Sequence, residues 1–215
     1  GISNEELKVR AKDYYASQNR AVTKLDYEAL CYNMPKKFGT IKRVSIINDP
    51  SATNRRMALY VISEDNNGKL TTANSTIKNN LKIWLERYKM LNDVIDILDA
   101  KIINFGIDFE ISVTRDSNPN DVINRVISKL TTDYNDTFYV GEPIYVSEIY
   151  NTINKVEGVS DVKKVKIYNK SGGNYSATSI NFDDLISRDG TFYKAPKNVI
   201  FELKFTNADI KGVAK

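Results

Sequence analysis

The sequence predicts an α+β fold made of two small related modules, each a mixed or antiparallel sheet covered by helices. Three observations carry this. Helical apolar stripes alternate along the chain with short runs of strand type, which suits neither an all-helical nor an all-strand architecture. Residues 107–113 alternate strictly, with Ile107, Phe109, Ile111 and Val113 set against Asp108, Glu110 and Ser112, as in a strand with one buried face. Finally, Ile41-Lys42-Arg43-Val44-Ser45-Ile46-Ile47-Asn48 aligns with Val162-Lys163-Lys164-Val165-Lys166-Ile167-Tyr168-Asn169. Each copy follows a helix by a short turn, the mark of a repeated module.

Taken in order, residues 1–20 predict a short arm or helix, 21–98 a first module and 99–215 a second. The first helix starts in the nonamer Asn19-Arg20-Ala21-Val22-Thr23-Lys24-Leu25-Asp26-Tyr27. Thr23 suits the N-cap, where its hydroxyl accepts from an otherwise orphaned backbone N–H, and Asp26 falls at the third helical position of a capping box. Val22 and Tyr27 have the spacing of a hydrophobic staple. Leu25, Ala29 and Leu30 face inward, Cys31 is a buried small hydrophobe, and Pro35 ends the helix. Ile41 to Ile47 is a strand, and Met57 to Ile62 is a second, apolar enough to be covered on both faces. Ile77, Leu81, Trp84, Leu85 and Tyr88 are the core stripe of a second helix capped by Asn74 or Ser75.

A short extended segment at 95–98 follows, and Gly106 precedes the alternating strand. Asn118-Pro119 opens a third helix with the stripe Val122, Ile123, Val126, Ile127 and Leu130. A fourth starts near Val146, carries Ile149, Ile153 and Val156, and stops at Gly158. After the strand 162–168, the Gly-, Ser- and Asn-rich stretch 169–198 predicts a flexible insertion; without Gly-Lys-Ser/Thr after Gly172-Gly173 it is not a phosphate loop. Val199 to Phe205 predicts an exposed last strand. Helices alternating with paired strands follow the logic of ferredoxin-like sandwiches.

Composition narrows the chemistry. The chain has no histidine and one cysteine, which excludes Ser-His-Asp and Cys-His nucleophiles, histidine-ligated zinc and an internal disulfide. Carboxylate pairs such as Asp183-Asp184 lack any supporting catalytic group, so we expect no enzyme, no cofactor and no metal site. No apolar run approaches the roughly 20 residues of a membrane-spanning helix. The net charge of +4 is spread among acidic residues, a solvated surface rather than a nucleic-acid footprint. The first residues look like mid-protein sequence, so the chain is expected to be part of a larger protein. A nucleic-acid-binding α+β protein using the basic strands 41–47 and 162–168 is the alternative, weakened by the scarcity of aromatics within them.

Arg20-Ala21-Val22-Thr23 followed by Asp26-Tyr27 resembles the first motif of the baseplate J-like family of contractile phage tails. Gly158-Val159-x-x-Val162 before a basic strand resembles its second. The likeness covers about residues 10–170, departs where Ala11-Lys12 stands for the family's Ala-Pro, and is strongest toward the C-terminal part of the baseplate wedge subunits of T-even type myophages. The resemblance implies a structural part of a virion tail baseplate, assembled in the host bacterial cytoplasm. Such a part would form a homodimer, join a ring around the hub and bind other wedge subunits, with interfaces on strand edges and helix faces. The strands 107–113 and 199–205 are the expected docking edges.

Overall fold

A computed structural model describes residues 20–215; the predicted N-terminal arm therefore lies almost wholly outside the described residues. The chain divides into two compact units at Ala100/Lys101, each with its own apolar core and its own sheet.

In the first unit, α1 (Lys24–Tyr32) and a 3-10 turn (Lys36–Phe38) lead into β1 (Arg43–Asn48). Then come β2 (Arg55–Glu64), β3 (Leu70–Thr71), α2 (Ser75–Glu86) and β4 (Asp93–Asp99). Strand β2 is central, antiparallel to β1 and parallel to β4, which returns through α2 as a crossover requires. Tyr27, Leu30, Leu59, Val61, Leu81 and Leu85 fill the core. Strand β2 is not covered on both faces. Met57, Leu59 and Val61 are buried; on the other face Ala58 and Tyr60 stay half-exposed and only Ile62, near the end, is buried. Asn74 rather than Ser75 caps α2, its side chain accepting from the Ile77 N–H at 2.8 Å.

The second unit holds β5 (Lys101–Val113), α3 (Pro119–Asp133), α4 (Val146–Asn154) and β6 (Val159–Lys170). After them come a 3-10 turn (Phe182–Asp184), β7 (Val199–Glu202), a single helical turn α5 (Thr206–Asp209) and β8 (Ile210–Ala214). Strand β5 is central, antiparallel to β6 on one side. On its other side it is parallel to β7 along Lys101–Asn104 and to β8 along Ile107–Ile111. The two aligned segments, β1 and β6, thus hold the same place, the antiparallel neighbour of a central strand.

Three expectations change here. Strand β5 begins at Lys101 and runs through Gly106 instead of starting after it. A Cβ on Gly106 would lie 2.5 Å from the Tyr168 ring, so glycine is required by an aromatic lying across the strand rather than by a turn. The stretch 169–198 is pinned rather than a flexible insertion. Phe182 is buried in the core, Tyr193 bridges Ile144 and Ile186, and the Asn104 side chain accepts from the Ser176 N–H at 2.7 Å. The last strand ends at Glu202, and Val199, Ile200 and Phe201 are buried, not exposed. The alternation through Phe205 hid the break at α5 and the further strand β8, whose Gly212 lies against the Phe109 ring.

Candidate assembly site

The nonamer is built as a joint. The Thr23 hydroxyl accepts from the Asp26 N–H at 3.2 Å, and Asp26 Oδ2 accepts from the N–H groups of Thr23 at 2.7 Å and Val22 at 3.0 Å. Three backbone donors are satisfied before α1 is one turn long. The staple does not form as expected: Val22 is 44% exposed, while Ala21 beside it is fully buried and donates its N–H to the Tyr88 carbonyl. Tyr27 turns away from the cap. Its hydroxyl donates to Asp93 Oδ2 at 2.5 Å and accepts from the Met90 N–H at 3.4 Å.

Asp93, at the first position of β4, is 3% exposed, and Arg55 Nε lies 3.7 Å from its other oxygen. The same guanidinium donates to the Val22 carbonyl. One buried carboxylate therefore ties the start of α1, the start of β2 and the start of β4 to a single point. Burial, then the hydrogen bond to Asp93, pushes the Tyr27 phenol well above its ordinary value. A neutral donor facing an anion is what a buried carboxylate needs. Arg20, at the start of the motif, is exposed.

The second motif marks a different constraint. Gly158 turns at φ 93°, and a Cβ there would lie 2.6 Å from Val122 Cγ2 and 3.0 Å from Ser117 Oγ. Its carbonyl accepts from the Thr114 N–H at 2.9 Å, closing the end of β5 against the start of β6. Val159 and Val162 are half-buried against the core of the second unit. Both motifs are tight structural points, and they lie in separate units.

A related cluster was not foreseen. Asp209, fully buried just before β8, accepts from the Tyr175 hydroxyl at 2.6 Å and the Phe205 N–H at 3.0 Å, with Lys170 Nζ at 3.7 Å. In each unit, then, a buried aspartate opening a parallel strand meets a tyrosine hydroxyl and a more distant cation. Asp93 carried a signal in its parity, since it shares a face with Ile95 and Ile97; Asp209 carried none, because β8 was not recognised. In each cluster one partner also holds backbone: the Tyr27 hydroxyl accepts from the Met90 N–H, and Asp209 accepts from the Phe205 N–H. Among the described residues, no group of three histidine, cysteine or acidic side chains is placed to hold a metal. No described helix is long and apolar enough to cross a membrane.

Of the expected docking edges, β5 is paired on both sides, while β7 ends its sheet with Val199, Ile200 and Phe201 buried. Among the described residues the open long edges are those of β1, β4 and β6. Strand β6 blunts its edge with the exposed Lys163, Lys164 and Lys166 and with two register shifts opposite β5.

No protein-family model matches the chain, and no curated protein does. Among solved structures it is similar to a chain of the anti-feeding prophage (AFP) baseplate, determined by cryo-EM with six-fold symmetrisation. The TM-score is 0.54 at 13% identity, over 93% of this chain and 41% of that one. The likeness is one of fold, and this chain spans well under half the length of the other.

Proposed function

We propose that the chain is a structural module of a contractile-tail baseplate, without catalytic activity, working through its surfaces. The observation that carries this is the fold shared with a baseplate chain over 93% of its length. The two motifs support the finer assignment to the baseplate J-like family and to a T-even type wedge subunit. Arg20, Ala21, Val22, Thr23, Asp26 and Tyr27 form the joint of the first unit, and Gly158, Val159 and Val162 the tight step into β6. On this reading the chain pairs with a second copy, joins a ring around the hub and binds other wedge subunits in the virion tail. Its rigid joints then transmit load, because each buried aspartate fixes three elements at once.

Light scattering of the purified chain across a wide concentration range tests this. Concentration-dependent association, or capture by wedge subunits of the same virus, is expected. A strict monomer that binds none of them overturns it.

A further inference from the structure

The sheet of the second unit has one face under α3 and α4; the other buries Asn104 and Ile200 at one end and is bare around Asp108. Register places on the bare face Lys164, Lys166 and Tyr168 of β6, Asp108 and Glu110 of β5, and Lys211 and Val213 of β8. Asp108 lies between Lys166 and Lys211, and Glu110 between Lys164 and Val213. Lys215 already neutralises Glu110 at 3.2 Å. Lys164, Lys166 and Lys211 are exposed and close no ion pair among the described residues, and Val213, beside Lys211 on the outer strand β8, is 48% exposed. On this face lysines thus flank the carboxylates of the central strand, with Val213 as an apolar contact at the β8 edge.

Its counterpart lies in the helix layer of the same unit. A cleft of about 350 Å³ opens between the end of α3 and the start of α4. Asp133, Asp136, Glu142 and Glu148 line it, together with Tyr139 and Tyr145, and no basic residue does. Asp133 is held by Lys129 at 2.7 Å and Glu142 by the Tyr139 N–H at 2.8 Å, which leaves Asp136 and Glu148 exposed and without an ion pair. Tyr139 and Tyr145 are 37% and 43% exposed. Burial, then Glu148, Asp133 and Glu142, raises the Tyr134 phenol in the cleft wall, a mark of concentrated negative potential.

We propose that the bare lysine face of one copy docks on the acidic, tyrosine-lined cleft of a second copy, with Val213 between Tyr139 and Tyr145 and Lys164, Lys166 and Lys211 facing Asp136 and Glu148. Complementary charge beside an apolar contact steers and registers protein interfaces. The two surfaces differ and lie on opposite layers of the unit, so the contact is head to tail. It propagates into a ring or an open chain rather than closing as a two-fold dimer. This rests on the assembly reading above and names its partner surface.

A charge swap tests it on the full chain by sedimentation velocity. One variant carries Lys164→Glu, Lys166→Glu and Lys211→Glu; the other carries Asp136→Lys and Glu148→Lys. All five positions are exposed, and circular dichroism checks that both variants fold. Each alone is expected to associate at least about tenfold more weakly than the natural chain, and an equimolar mixture to recover most of the loss, since the reversed face fits the reversed cleft. Self-association that ignores both variants, or a mixture that recovers nothing, overturns the head-to-tail contact while leaving assembly through other faces standing. A monomeric natural chain overturns both. The same outcome for this contact follows if an oligo-thymidine strand binds the lysine face and loses affinity in the first variant while self-association persists, since the face would then serve nucleic acid.

Discussion

Replacing Tyr27 with Phe isolates the joint of the first unit. The ring is fully buried and stays in place, so no cavity larger than a hydroxyl opens. What goes is the donor to Asp93 at 2.5 Å and the acceptor for the Met90 N–H at 3.4 Å. A hydrogen bond to a charged group is worth about 1.5–3 kcal/mol, and a buried acceptor left unmade costs a similar amount. Arg55 at 3.7 Å still offsets part of the Asp93 charge, which puts the loss near the middle of that range, about 2 kcal/mol. For a unit of this size the midpoint of thermal unfolding falls by about 10 °C. Trp84 is the single tryptophan of the chain and sits in this unit, its indole N–H donating to the Leu30 carbonyl at 2.9 Å, so its fluorescence in urea follows the first unit alone. Tyr139→Phe, in the exposed cleft of the second unit, is the control. A Tyr27→Phe loss below about 0.5 kcal/mol, the range of ordinary surface changes, refutes the claim that Asp93 is held by this hydroxyl.

Gly158→Ala forces a left-handed alanine, costing about 1–2 kcal/mol, and drives its Cβ into Val122, so a total near 3 kcal/mol is expected in near-ultraviolet circular dichroism of the second unit; a neutral effect contradicts the packing at this step. Thr23→Ala and Asp26→Ala each lower stability by about 1 kcal/mol in urea unfolding and leave association unchanged below the melting range, whereas loss of assembly with stability intact would show that the nonamer is an interface. At high pH the second unit loosens: the hydrogen bond to Asp209, then burial, pushes the Tyr175 phenol up to about 12, so its contribution is fully present below the ordinary phenol value of 10 and disappears as pH rises through 12. Tyr175→Phe should flatten that alkaline loss in a pH series of unfolding curves, and an unchanged slope would refute it.

Where local chemistry decides the structure, the sequence was legible. The Thr23–Asp26 box, the Asn118 cap with Pro119 behind it, and the stripes through Leu81 and Val126 all depend on residues within one or two turns of each other. The alignment of 41–48 with 162–169 also anticipated two strands in equivalent places. What could not be read depends on contacts far apart in the chain. Gly106 looked like punctuation because Tyr168, which lies across it, is 62 positions away. The stretch 169–198 has a loop's composition, yet Phe182 and Tyr193 anchor it from within. The β5 edge first assigned to docking failed for the same reason, since only the pairing of β8 with β5 shows that β5 has no free side there. Both buried aspartates escaped notice, because a carboxylate is ordinarily on the wet face and the partner tyrosine of each comes from another element.

The most direct measurement is the location of the chain in the particle. On the proposed function, contractile-tail particles purified from the source of the chain, labelled with an antibody against it and viewed by electron microscopy, should carry label in several copies at the baseplate end. Intact tails that lack the chain, or label along the sheath or head with none at the baseplate, would contradict its assignment as a baseplate module.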